Sequence, residues 1–259
     1  MDEAVVAVSA DIDSQDRLES LQITHLLTVF PRYHFSEDWL ASSIPYFLHI
    51  DQDRLLLEPS DKKRQPLWVD FTAGSMGYRG QQNVRNEMVV KAVLGRDKQK
   101  KPSVIDATAG LGRDSFLLAV LGCQVTMIER NPIVMALLAD GLHRFQLQDD
   151  SGVAKRLALF PGDAKNQLSQ LAQSKSADVV YLDPMFPKRE KSALVKKEMQ
   201  IFRDIVGLDS DSDELLLTAK QIARDRVVVK RASKAEYLAN IKPTYSLTGR
   251  SSRFDIYQC

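Results

Sequence analysis

Cysteine is nearly absent. The 259-residue chain holds two, Cys123 and Cys259, too few for a disulfide framework, so a reducing, cytoplasmic compartment is expected. Cys123, just before an apolar stretch, reads as a small buried hydrophobe; Cys259 is the last residue and reads as a free thiol. Histidine is scarce too. His25, His34, His49 and His143 lie far apart, with neither the spacing of metal ligands nor the partners of a catalytic triad, so no metal is indicated. Long apolar runs are missing: stretches such as Val227–Val229 and Phe116–Leu121 fall far short of the ~20 residues that span a bilayer, and no membrane partner is expected. The N-terminus carries Asp2, Glu3 and Asp11 and lacks the basic start of a signal peptide. There is no excess of one charge either. A formal net charge of +1 excludes a protein that coats nucleic acid by bulk charge and leaves room for a local basic face.

What is present changes character along the chain. Residues 1–95 read as a small α+β region of short elements. Strands are expected at Val5–Val8, Tyr46–Ile50, Arg54–Leu57 and Leu67–Phe71, with helices over Gln15–Val29 and Asn83–Leu94 and a loop over Glu58–Pro66. From about residue 96, apolar strands alternate with helices: Val104–Ala107, helix Arg113–Leu121, Val125–Ile128, helix Pro132–Gln146, then strands at Leu157–Phe160, Asp178–Leu182 and Val227–Lys230. That alternation implies right-handed crossovers and a mostly parallel α/β sheet with helices on both faces, a Rossmann-like domain over 96–259. The alternating tail Arg253–Gln258 fits an antiparallel strand added to the sheet.

The first strand of that domain runs into Asp106-Ala107-Thr108-Ala109-Gly110-Leu111-Gly112-Arg113-Asp114. Small residues let a ligand approach the backbone, and the helix that follows offers free amides. The next strand ends at Glu129, 19 positions beyond Gly110, where a carboxylate accepts hydrogen bonds from a ribose. These features suit both NAD and S-adenosylmethionine. Ser115 stands where the dinucleotide fingerprint has its third glycine, and the strand-end carboxylate Asp106 suits the methionine end of S-adenosylmethionine. Asp163, after the third strand, suits the adenine amino group or a helix N-cap.

The fourth strand ends in Asp183-Pro184-Met185-Phe186-Pro187, which resembles the (Asp/Asn)-Pro-Pro-(Tyr/Phe) motif of amino-group methyltransferases with Met185 at the second proline. An exocyclic amine conjugated to a base ring is a poor nucleophile. Asp183 and nearby carbonyls accept its hydrogens and draw out its lone pair, Pro184 stiffens the turn, and Phe186 offers a stacking face worth about 1–3 kcal/mol. A basic stretch follows directly: Lys188, Arg189, Lys191, Lys196 and Lys197. With Lys230 and Arg231 at the end of the fifth strand, it forms the expected RNA-phosphate contact.

Longer runs carry a more specific resemblance. Val69-Asp70-Phe71, the loop 106–114, Glu129-Arg130-Asn131-Pro132, Tyr181 through Pro187, Lys191 through Met199, Val227 through Arg231 and Arg253 through Tyr257 are similar to the RsmJ family of bacterial small-subunit ribosomal RNA guanine-N2 methyltransferases. The resemblance covers about residue 67 to the end. It implies a class I methyltransferase fold, methyl transfer from S-adenosylmethionine to the N2 amino group of a guanosine, a ribosomal RNA or small-subunit partner, and cofactor contacts at Arg113, Asp114, Glu129, Arg130, Asp163 and Asp183. Two positions depart from the family pattern: Tyr78–Arg85 has fewer glycines, and Asp163 stands where serine is common. The competing readings are an amino methyltransferase of DNA or a small molecule, and an NAD-dependent oxidoreductase, which has no use for the Asp-Pro-Met-Phe strand end.

Overall fold

The computed structural model describes residues 6–23, 30–33, 43–61, 63–72, 84–97, 99–171, 176–185, 197–207 and 211–259. The strands are β1 (Val6–Ser9), β2 (Arg32–Tyr33), β3 (Tyr46–Asp51), β4 (Arg54–Pro59), β5 (Ser103–Asp106), β6 (Gln124–Glu129), β7 (Leu157–Pro161), β8 (Ala177–Leu182), β9 (Ala223–Ala232), β10 (Tyr245–Thr248) and β11 (Ser252–Gln258). The α-helices are α1 (Ile12–Ser20), α2 (Met88–Leu94), α3 (Arg113–Val120), α4 (Pro132–Gln146), α5 (Ala164–Leu171), α6 (Lys197–Val206) and α7 (Ser212–Ile222). They fall into two compact units: residues 1–70, 131–148 and 187–208, and residues 71–130, 149–186 and 209–259.

The first unit holds a four-stranded sheet in the order β2-β1-β3-β4. β3 and β4 form a hairpin that closes on Asp51 and Arg54. Its turn residues, Gln52 and Asp53, both have positive φ (51° and 75°), the geometry that matches strand twist in a two-residue turn. Helix α4 starts as its sequence dictates: the Asn131 side chain accepts from the Ile133 and Val134 amides, and Pro132 occupies the first turn, where its missing N–H costs nothing. Further along α4, the fully buried carboxylate of Asp140 accepts from the Leu55 amide (3.1 Å), Arg17 (3.1 Å) and Arg144 (2.8 Å). Three donors replace the solvation that this carboxylate gives up on burial. Gly141 has no room for a side chain, since a Cβ there would lie 2.5 Å from Val69.

Three expectations for this region need correction. Leu67–Phe71 is not a strand: Leu67 alone pairs, in an isolated bridge with Leu57, and the Val69 carbonyl is taken instead by the Arg144 guanidinium. The first helix ends at Ser20, where the chain turns through the left-handed Gln22 (φ 58°); residues 24–29 lie outside those described. The helix expected from Asn83 is regular only from Met88, because Glu87 is extended (φ −60°, ψ 139°); Asn83 itself lies outside the described residues.

The second unit is built on a seven-stranded sheet, β10-β11-β9-β8-β5-β6-β7. Strands β5 to β9 run parallel. β11 is antiparallel to β9, as the alternating tail predicts, and β10 lies antiparallel to β11. The fold is a Rossmann-like, mostly parallel sheet flanked by helices. One core joins Val180 and Leu182 of β8, Val227 and Val229 of β9, Leu168 of α5 and Leu216, Ala219 and Ile222 of α7. Its all-apolar strand segments are what a sheet covered on both faces requires. After β7 the chain returns to the far side of β5 as β8, so the loops leaving β5 and β8 diverge and open a crevice at the carboxyl ends of the strands.

Candidate active site

Both sides of that crevice are formed by residues whose sequence pattern suggests chemistry. β5 ends at Asp106, almost completely buried. Its carboxylate accepts from the Ser115 hydroxyl at 2.5 Å and from the Thr108 amide at 3.2 Å. Burial pushes the Asp106 carboxyl up to about 7; the Ser115 and Thr108 donors oppose that, and the nearby charges of Asp114 and Asp183 add to it.

The loop then turns through two left-handed glycines, Gly110 (φ 54°) and Gly112 (φ 70°), a conformation that costs other residues roughly 1–2 kcal/mol. The Gly110 amide donates to Glu129 Oε2 at 2.8 Å, so the end of β6 is tied to the glycine turn. Glu129 is 7% exposed. Arg113 opens α3 and is exposed.

Glu129 is followed by Arg130, whose guanidinium lies 3.1 Å from Asp211 and 3.8 Å from Asp163. Asp163 caps α5, accepting from the Asn166 amide at 3.0 Å, so the cap reading of this residue holds, while its second oxygen faces Arg130. Arg130, Asp163 and Asp211 form a polar cluster beside the ends of β6 and β7.

Opposite stands the end of β8. The Asp183 amide donates to the Thr108 hydroxyl at 2.6 Å. Its carboxylate meets the Lys230 ammonium at 2.9 Å, and the same ammonium lies 2.8 Å from Asp114. Tyr181, fully buried on β8, donates to Asp114 at 2.5 Å. Burial, then the charges of Asp183 and Asp114, hold the Tyr181 hydroxyl protonated far above the ordinary range. Pro184 is buried beside Asp183, whose side chain stays 39% exposed, enough to reach a ligand in the crevice.

Lys230, expected on the RNA, is thus engaged by two carboxylates of the strand-end cluster. Arg231 points elsewhere: it is 8% exposed and donates twice to the Glu236 carbonyl. Phe186, Lys188, Arg189, Lys191 and Lys196 lie outside the described residues, as do Tyr78 and Arg79; Lys197 begins α6, and its side chain is likewise outside them. Sequence reading missed Thr108, Ser115, Tyr181 and Asp211 as parts of the site. Thr108 lies inside the quoted loop and Ser115 directly follows it, but nothing in their spacing announces the long-range bond of Thr108 to Asp183 or the bond of Ser115 to Asp106.

The donor set fits S-adenosylmethionine. A carboxylate at the end of β6 suits two ribose hydroxyls, a buried carboxylate at the end of β5 suits an ammonium, and the left-handed turn leaves backbone open to close approach.

A family model described as "Putative SAM-dependent methyltransferase" matches residues 32–259. Ribosomal RNA small subunit methyltransferase J of Tolumonas auensis is 49% identical over 217 residues, 82% of this chain and 86% of the relative. The protein of the same name from Thioalkalivibrio sulfidiphilus is 49% identical over 194 residues, 74% of this chain and 76% of the relative. Among solved structures, a SAM-dependent methyltransferase from Neisseria gonorrhoeae is 31% identical and superposes with a TM-score of 0.67, covering 97% of this chain and 95% of that one.

Proposed function

The chain belongs to the S-adenosylmethionine-dependent methyltransferase family that includes ribosomal RNA small subunit methyltransferase J, and from that premise we propose that it methylates the N2 amino group of a guanosine in small-subunit ribosomal RNA. The observation that carries the reading is the placement of Asp183: a carboxylate at the end of β8, its backbone tied to the glycine loop through Thr108 and its side chain partly open to the crevice. The relatives' name supports the RNA substrate, and the resemblance in the runs around Asp183 supports the guanine amine.

In this reading Glu129 holds the ribose, Asp106 the methionine end, and Gly110 and Gly112 give room for both. Arg113, Asp114 and Arg130 complete the cofactor side, and Asp163 takes the adenine amino group. S-adenosylmethionine, when bound, supplies an electrophilic methyl group. Asp183 accepts a hydrogen of the exocyclic amine, turns its lone pair out of conjugation and offsets the positive charge that grows on nitrogen. Buried Pro184 fixes the turn that aims it, and Phe186 stacks on the extruded base. Lys188, Arg189, Lys191, Lys196 and Lys197, next in sequence, contact RNA phosphates, whereas Lys230 is held by Asp183 and Asp114 and Arg231 by the Glu236 carbonyl. Residues 96–259 are the catalytic domain and residues 1–95 an accessory region.

Mass spectrometry of nucleosides from small-subunit RNA, prepared with and without the protein, tests this. N2-methylguanosine is expected to depend on the protein. Label from tritiated S-adenosylmethionine entering duplex DNA, with none entering ribosomal RNA, would overturn it.

A further inference from the structure

Lys230 sits on β9, one residue past Val229, which pairs with Leu182 of β8. The parallel register therefore sets Lys230 beside Asp183. Its ammonium bridges Asp183 (2.9 Å) and Asp114 (2.8 Å), and the same Asp114 oxygen accepts from Tyr181. Among the described residues, the charged and titratable groups that act on Asp183 include Lys230 from β9, Asp114 from α3, Asp106 at the end of β5 and Tyr181 from β8 itself.

We propose that Lys230 is a positioning residue for methyl transfer, holding the Asp183 carboxylate ionised and aimed as the acceptor of the substrate amine, with Asp114 and Tyr181 anchoring Lys230 in turn. This rests on the methyltransferase reading above and adds to it a residue that touches neither cofactor nor methyl acceptor. The physical need is specific. Asp183 lies among like charges, and without a cation two neighbouring carboxylates favour taking up a proton. A protonated Asp183 donates where it must accept, and its competence for drawing out the amine lone pair is lost. One ammonium with three donors serves two carboxylates and keeps a donor to spare, so an arriving amine N–H can share Asp183 while Asp114 retains the lysine. Burial alone would pull the Lys230 ammonium down; the charges of Asp183 and Asp114 outweigh it, and Lys230 stays protonated above the ordinary lysine value.

The test compares wild type, Lys230→Met, Lys230→Arg and Tyr181→Phe in single-turnover methyl transfer to small-subunit RNA from pH 5.5 to 9.5, with S-adenosylhomocysteine affinity measured by calorimetry. Lys230→Met is expected to move the acid limb of the rate profile to higher pH, with at least a tenfold loss at pH 6.5 that narrows to within threefold at pH 9, and a KM for RNA within threefold of wild type. Lys230→Arg is expected to restore the wild-type profile. Tyr181→Phe, which removes one hydroxyl and keeps the lysine, moves the limb in the same direction by less, so the idea stays testable if Lys230→Met does not fold. A raised KM for RNA with an unmoved profile would make Lys230 a phosphate contact and overturn the proposal; so would an equal loss at every pH that arginine does not rescue. A wild-type protein that transfers no methyl to RNA at any pH would sink the underlying reading instead, which separates the two failures.

Discussion

The backbone amide of Asp183 donates to the Thr108 hydroxyl at 2.6 Å, so the two loops that diverge at the sheet's switch point are pinned to each other by one side chain. Thr108 belongs to the glycine loop and Asp183 to the strand end proposed to accept the amine. The bond fixes the distance between the two halves of the reaction.

Removing that tether should cost rate more than affinity. Thr108→Ala leaves a partly buried amide without its acceptor, worth about 1–2 kcal/mol. A roughly tenfold fall in the single-turnover rate is expected, with S-adenosylhomocysteine affinity within threefold of wild type, and Thr108→Ser should recover most of the rate.

Glu129 carries the opposite signature. Glu129→Ala removes the acceptor of the Gly110 amide together with the proposed ribose contact. Calorimetry should show S-adenosylhomocysteine binding weakened by roughly 10- to 100-fold, about 1.4–2.7 kcal/mol, with the protein still folded.

Asp106 makes stability depend on pH in an unusual direction. Its folded-state carboxyl is pushed up to about 7 from an ordinary 3.8. Between those values the unfolded chain has released the proton that the folded chain retains, so stability falls as pH rises and levels off above about 7. Measured as the difference between wild type and Asp106→Asn in urea unfolding, the loss should accumulate from pH 4 to pH 7 and reach at most roughly 4 kcal/mol. S-adenosylhomocysteine should bind more tightly above pH 7 than below it, because the ionised carboxylate is the form that holds an ammonium.

In the first unit, Asp140→Ala should be costly. It leaves Arg17, Arg144 and the Leu55 amide without their shared acceptor, and breaking such a buried pair costs about 3–5 kcal/mol. Urea unfolding is the measurement.

Local signals made much of the second unit legible. The strands β5, β6, β7, β8 and β9 follow from apolar runs between turn residues, and β11 from the Phe254/Ile256 alternation; in the first unit, α4 follows from its apolar run opened by Pro132. What escaped depends on contacts distant in sequence. Tyr245–Thr248 is a strand because β11 is there to pair with it, and Val69 is not in one because Arg144 claims its carbonyl. The site divides the same way. Asp106, Glu129 and Asp183 are readable because each ends a strand of one parallel sheet, whereas the Lys230 bridge needs the β8–β9 register before the pair becomes visible.

The most direct measurement of the central claim is methyl transfer to small-subunit RNA by Asp183→Ala, assayed beside S-adenosylhomocysteine binding by the same preparation. The expected result is a folded protein that still binds S-adenosylhomocysteine and has lost methyl transfer by a factor of about 100 or more. Transfer within a few-fold of wild type would contradict the account, since no acceptor at the end of β8 would then be needed to activate the amine.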